Sequence, residues 1–512
     1  MELHMTRQMM PVNEIIFDSF SEQPVECDIL LPDYCPDIQR ILHCNVCCMV
    51  GNTQLSGQRF TVSGEMRISV LYTGDRGQVR GLEHRVPFSR SAELRTSPQK
   101  WIADTACKID YVNCRAVSSR RLEIRGAATL KIKILSCQEG DFLEDCTGMG
   151  VQLKKEMENI SCCLSKAESP FSVREELDTG DHMPISQIIS SQVQARMTDY
   201  KVISGKIITK GELQVSVLYE PVSQEEDPEP EVLSYTLPIS QIMDAADADE
   251  GSTCCIWYQV TGWDIQPKPD LDGESKVLSL EVQLNGQAMI HREQQITLPV
   301  DCYCTAYESS CEVKPVSFLT LIKSVNETCL CREKISLRKP VRSVICSWAS
   351  VEDQQTEKTA EGIRLLASVR LCAMVREQDG EIQFCETQGS VSHLIPLENT
   401  DERILFHPQI CAGEAEAVPV GDSQLEIKCL CTITGCVYGL RRAEAISSLS
   451  VDEEHPKAGE DRCALTIYYA DQGESVWDIA KKYNTSIAGV MEENGLDDDI
   501  LPQRTMLLIP ML

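Results

Sequence analysis

The feature that most constrains this fold is a ten-residue segment that returns at a fixed distance. Ser63-Gly-Glu-Met-Arg-Ile-Ser-Val-Leu-Tyr72 recurs as Lys210-Gly-Glu-Leu-Gln-Val-Ser-Val-Leu-Tyr219, an offset of 147 residues. A weaker third copy, Val369-Arg-Leu-Cys-Ala-Met-Val375, lies 303 residues beyond the first. Two further anchors hold nearly the same spacing. Pro36-x-x-Gln39-x-Ile41 matches Pro184-x-x-Gln187-x-Ile189, with Pro340 and Ile345 keeping the outer positions. Leu122-Glu-Ile-Arg125 matches Leu425-Glu-Ile-Lys428, with Leu278-Ser-Leu-Glu281 as the middle copy. A sustained period means one structural unit used several times. A chain of 512 residues has room for about three or four domains, so three repeats and a remainder fit its length.

Within a repeat the period is two. Met66, Ile68, Val70 and Tyr72 share one face, and Arg67, Ser69 and Leu71 the other. Leu122, Ile124, Leu130, Ile132 and Ile134 alternate in the same way. Thr73-Gly-Asp-Arg-Gly77 and Asp379-Gly380 supply turns, and a short helix-like piece is expected from Pro36 to Leu42. The fold class expected is therefore mainly β: three related antiparallel modules, sandwich-like, over residues 1–160, 161–316 and 317–450. Residues 451–463 read as a tether, and 464–512 as a small α+β module. The acidic stretches 223–231 and 244–251 are expected to be solvated loops inside the second repeat.

A formal net charge of −30 argues against nucleic acid, because it repels phosphate and leaves no basic footprint. No apolar run approaches the ~20 residues of a spanning helix. The N-terminus lacks the cationic and apolar sequence of a secretory signal, so a cytoplasmic location is expected. In that compartment the 26 cysteines are expected to be reduced and to serve as small buried hydrophobes. Cys44-x-x-Cys47-Cys48 and Cys429-x-Cys431 suggest zinc, but a structural site needs two matched pairs of ligands, and no second Cys-x-x-Cys follows. No metal or other cofactor is expected. The histidines are scattered and no phosphate loop, nucleophile elbow or metalloprotease motif occurs, so the chain is expected not to be an enzyme.

The last fifty residues spell out a βααβ order. Leu465, Ile467 and Tyr469 alternate as a strand, and Ser475-Val-Trp-Asp478 has the form of a capping box. Val476, Ile479, Ala480 and Tyr483 line one helix face. Ile487, Val490 and Met491 belong to a second helix that stops at Asn494-Gly495. Met506, Leu508 and Pro510 form the closing strand. The pattern Tyr469-x-x-x-Gly473-Glu-Ser475-x-Trp477-x-Ile479-Ala480-x-x-Tyr483, then Asn494-Gly-Leu496 and Leu508-Ile-Pro510, resembles the LysM family.

That resemblance implies a glycan containing N-acetylglucosamine as ligand, held between two loops: Gln472, Gly473, Glu474, Ser475 and Val476 on one side, and Asn494, Gly495, Leu496, Asp497, Asp498, Asp499 and Ile500 on the other. Three adjacent aspartates beside the groove also suit a protein partner. The opening segment Asp28-Ile-Leu-Leu-Pro-Asp-Tyr-Cys-Pro-Asp-Ile-Gln-Arg-Ile-Leu42 resembles a repeated domain of clostridial sporulation proteins. Three such repeats followed by one LysM are similar to the SipL family of spore-coat morphogenesis proteins. The resemblance implies a scaffold on the mother-cell side of the forespore surface, with a SpoIVA-like coat-basement ATPase as partner. The alternative is a wall or cortex protein that binds peptidoglycan.

Overall fold

The computed structural model describes residues 3–223, 228–398, 403–406, 409–421, 423–457 and 465–510. Residues 224–227 of the first acidic stretch and 458–463 of the expected tether lie outside these. Strands come in three sets. The first is β1 (His4–Leu30), β2 (Arg40–Ser56), β3 (Arg59–Thr73), β4 (Val79–Glu93), β5 (Trp101–Ser118) and β6 (Arg121–Thr147). The second is β7 (Val151–Asp178), β8 (Ile185–Ile203), β9 (Lys206–Pro221), β10 (Glu231–Asp244), β11 (Thr253–Lys268) and β12 (Val277–Cys304). The third is β13 (Tyr307–Ser336), β14 (Val341–Thr359), β15 (Gly362–Glu377), β16 (Ile382–Pro396), β17 (Arg403–Phe406), β18 (Gln409–Pro419) and β19 (Gln424–Pro456).

Each set forms a sandwich of two antiparallel sheets, as the alternation of apolar residues requires. One sheet holds three consecutive strands: β2-β3-β4, β8-β9-β10 or β14-β15-β16. The other is built on the first and last strands: β1-β6-β5, β7-β12-β11, and β13-β19 with β17 and β18 alongside. The modules join through turns at 148–150 and 305–306, earlier than the limits read from sequence, which would have divided β7 and β13. Residues 451–456 continue β19 instead of belonging to a tether.

The repeated decapeptide is the middle strand of the smaller sheet in every module. Tyr72 and Tyr219 are fully buried, and their hydroxyls donate to the carbonyls of Pro36 and Met183, positions related by the same offset of 147. The motif glycine is needed for close approach. A Cβ on Gly64 would run into the Met49 carbonyl, and one on Gly211 into that of Arg196. The segment around Pro36 is not helical: β2 begins at Arg40. Prolines at 32 and 36 each lack an N–H to donate, and the Arg120 guanidinium instead holds the Pro32 carbonyl at 2.8 Å, the Cys35 carbonyl at 3.2 Å and the Asp37 carboxylate at 2.8 Å. The acidic stretch at 244–251 is not merely solvated. Ala245 and Ala248 are buried and Asp249 pairs with Arg292.

Two features join the modules. The long strands outrun their sandwiches, so that 137–147 pairs only with β1, 292–304 only with β7, and 441–456 only with β13. A two-stranded ribbon is marginal by itself. The three ribbons bury Met10 and Phe142, Ile160 and Leu298, and Val316 and Phe318 against one another in a common hub. The second feature is a β-bulge at the same place in each module, between Ile41 and His43, Ile188 and Ser190, and Val344 and Cys346. A bulge re-aims a side chain. The extra residues Leu42, Ile189 and Ile345 meet Leu71, Leu218 and Met374 in one apolar cluster shared by all three modules. These positions correspond at offsets of 147 and 303, which moves the upstream sequence anchor by one residue: Leu42, not Ile41, corresponds to Ile189.

Candidate functional site

The C-terminal module consists of β20 (Leu465–Ala470), α1 (Val476–Lys482), α2 (Ile487–Asn494) and β21 (Thr505–Pro510), with β20 and β21 paired antiparallel. Ser475 caps α1, its hydroxyl accepting from the Asp478 amide, while Lys481 and Lys482 lie in the last turn, where the helix dipole favours cations. Gly495 ends α2 in the left-handed region at φ 61°, a conformation that favours glycine. Trp477, 2% exposed, is the centre of the core, among Val476, Ile479, Ala480, Val490, Leu507 and Ile509.

The helices cover the side of the sheet that carries Ala470, Leu507 and Ile509. The residues whose alternation marked the strands are therefore on its outer side. Leu465 pairs with Pro510, Ile467 with Leu508 and Tyr469 with Met506. Ile467 is 56% exposed, Tyr469 64% and Met506 51%. Leu465, Ile467, Tyr469 and Met506 thus form an exposed apolar patch, with Leu508 and Pro510 half-buried beside them, the kind of surface that marks an interaction site.

The two expected ligand loops meet directly. Gly473 donates to the Leu501 carbonyl at 2.9 Å, Leu501 to Glu474 at 3.0 Å and Val476 to Asp499 at 2.7 Å. Ser475 and Val476 are buried, which removes them from any contact surface. Asn494 pins β21 from within, its side chain exchanging hydrogen bonds with the Leu508 backbone. Asp499 differs from its neighbours: its carboxylate accepts from the Trp477 amide at 2.8 Å and from the Ser475 hydroxyl, and it lies 3.7 Å from Lys154. What remains open to a ligand is Gln472, Gly473, Gly495, Asp497, Asp498 and Ile500, with Glu474 and Leu496 half-buried.

Asp301 and Tyr303, on the ribbon end of β12, escaped sequence analysis and decide where the module sits. The Trp477 indole donates to Asp301 at 2.8 Å, and Lys481 reaches the same carboxylate at 2.7 Å. Tyr303, 3% exposed, stands edge-on to Trp477 at 5.0 Å, and its hydroxyl donates to the Thr485 carbonyl at 2.7 Å. Lys457 bridges the Cys304 carbonyl and the Asn484 side chain. Burial works against charge on Asp301, but Lys481 and the indole N–H outweigh it and hold the carboxyl below the usual carboxylate range. No periodicity could have revealed these partners, which lie more than 170 residues apart.

Comparison with known families then matches residues 37–117 and 184–268 to the SipL, SPOCS domain, and residues 468–510 to the LysM domain. The chain carries SPOCS domains of the SipL type and a LysM domain. The SPOCS segments cover β2–β5 and β8–β11, so the long strands that close each sandwich and build the hub lie outside the matched parts. The third module has the same strand order without a match of its own. No curated protein and no solved structure matches the chain. SPOCS and LysM domains together fit a sporulation protein carrying a module of the peptidoglycan-binding class. No helix among the described residues is long and apolar enough to cross a membrane.

The cysteine clusters separate in space. Cys48 is bonded to Cys107 across the first sandwich, Cys44 interacts with Cys114, and Cys47 is exposed. Cys255 is bonded to Cys436, joining the second module to the third, while the other described cysteines are free thiols. Cys429-x-Cys431 does face a matched pair, since Cys329 lies opposite Cys431 and Cys331 opposite Cys429. The Cys431 thiol lies within hydrogen-bonding reach of both Cys429 and Cys329, so these thiols pair with one another along and across the sheet. In the second module, the positions corresponding to Cys331 and Cys429 by strand register hold Val173 and Val282, consistent with thiols serving as core hydrophobes.

Proposed function

We propose that this chain is a non-enzymatic adaptor in spore-coat assembly, acting in the mother cell at the forespore surface, whose SPOCS modules form a rigid body and whose LysM module docks a SpoIVA-like coat-basement ATPase. The observation that carries this reading is the patch of Leu465, Ile467, Tyr469, Met506, Leu508 and Pro510. A module devoted to glycan needs its loops, not an apolar outer sheet. The module is seated by α1 and the α1–α2 turn, and Ile467, Tyr469 and Met506 stay exposed in the seated module. Asp497 and Asp498 at the loop tip add negative charge suited to steering a basic partner surface.

The test is binding of the full chain to the coat-basement ATPase, by pull-down and by titration, for wild type and for Ile467→Asp/Tyr469→Asp. The double variant should lose at least tenfold in affinity with its melting temperature unchanged, because both side chains are already in solvent. Unchanged affinity would remove the sheet face from the interface. Tight binding to N-acetylglucosamine oligomers with indifference to the ATPase would put the peptidoglycan-binding alternative in its place.

A further inference from the structure

Where the three β-sandwich modules meet lies a partly open chamber of about 300 Å³. This lies at the lower end of the range for small-molecule sites. Every module contributes a wall: Ile102 and Leu135 from the first, Ile256 and Met289 from the second, and Val325 and Tyr438 from the third. Gly435 and Cys436 of β19 also line it.

The cations at its edge are already matched. Lys133 is flanked in register by Asp18 and Asp104 and lies 3.5 Å from Asp18, Lys166 pairs with Glu168 at 2.6 Å, and Arg196 with Glu212 at 3.8 Å. The Asp199 carboxylate, exposed at the rim, accepts from the Tyr200 amide. Tyr438 is different: the residue is 6% exposed and lines the chamber, and its hydroxyl donates to the Met289 sulfur at 3.4 Å, a weak acceptor that an oxygen would displace.

We propose that this chamber is a binding site for an uncharged, largely hydrocarbon small molecule carrying one carbonyl or ether oxygen, which accepts the Tyr438 hydroxyl. Burial selects the apolar body, because removing hydrocarbon from water is the main favourable term. The cations at the edge are each paired, so an anionic ligand would be desolvated without a free counter-charge.

The experiment titrates the full chain with Prodan, a neutral naphthyl ketone whose emission moves to the blue in apolar surroundings. Saturable binding at one molecule per chain is expected. Ala195→Trp, which fills the chamber, should weaken binding at least tenfold, and Tyr438→Phe about fivefold to tenfold. Ile467→Asp, on the exposed LysM face, should leave it unchanged and so exclude adsorption there. Thermal melts confirm folding, and Leu405→Trp replaces Ala195→Trp if that variant does not fold. Absence of a saturable blue-shifted signal, or equal affinity in the filled variant, overturns the proposal.

Discussion

Replacing Asp301 with alanine should free the LysM module from the hub while both remain folded. The Asp301 carboxylate receives a hydrogen bond from the buried Trp477 indole and an ion pair from Lys481, whose side chain is 42% exposed. A hydrogen bond to a charged acceptor is worth about 1.5–3 kcal/mol, and a solvent-screened ion pair about 0–1 kcal/mol. Their loss therefore costs about 2–3 kcal/mol of docking energy. At 1.4 kcal/mol per factor of ten, the docked fraction relative to the free falls by roughly 30- to 150-fold. Tyr303 packing and the Lys457 contacts remain, so the module should visit the undocked state without leaving it dominant at every temperature. Hydrogen exchange reads this directly: amides of α1 and of the turn through Thr485 should exchange faster by about that factor, while those of β3 and β9 stay as in wild type. In the wild type, docking should hold above the usual carboxylate range and weaken only below it, since Asp301 then takes up a proton in the undocked state first. Exchange in α1 within threefold of wild type would show that Asp301 does not hold the seat.

Two further outcomes are expected. Asp499→Ala should destabilise the LysM module by about 1–2 kcal/mol, as loss of a helix-capping acceptor does, whereas Asp497→Asn/Asp498→Asn should leave its denaturant midpoint unchanged. Equal effects from both variants would refute the distinction. His291 is fully buried, and burial moves its pKa down to about 4 from 6.5, so the native state keeps it neutral. The unfolded chain takes up the proton first as pH falls. The contribution of His291 is thus complete above about pH 6.5 and declines toward pH 4, by about 2 kcal/mol at pH 5. Denaturant unfolding of wild type and His291→Gln at pH 7.5 and 5 should show the smaller loss in the variant, and equal losses would contradict the assignment.

Much of the architecture was legible from residues near one another in sequence. Alternation in Met66, Ile68, Val70 and Tyr72 gave a strand because the side-chain period of extended chain is two. Its return at Tyr219 gave a second copy of the same strand, and the spacing of Val476, Ile479 and Ala480 with Asn494-Gly495 gave both helices and the stop of the second. Local periodicity says that one face is buried, not what buries it. So Leu465, Ile467 and Tyr469 were recognisable as a strand, but only the packing of α1 and α2 against Ala470, Leu507 and Ile509 determined that they face outward. The same holds for Ser475, Val476 and Asp499, which the loop pattern put beside a ligand and the folded module uses for itself. Asp301 meeting Trp477, Leu42 meeting Ile189 and Ile345, and the chamber at the junction of the three modules depend on strands brought together from distant parts of the chain. Sequence alone determined the modules and their order, because propensity and periodicity act over a few residues. The tertiary structure decided the site, because burial and hydrogen-bond satisfaction are settled only by what packs alongside.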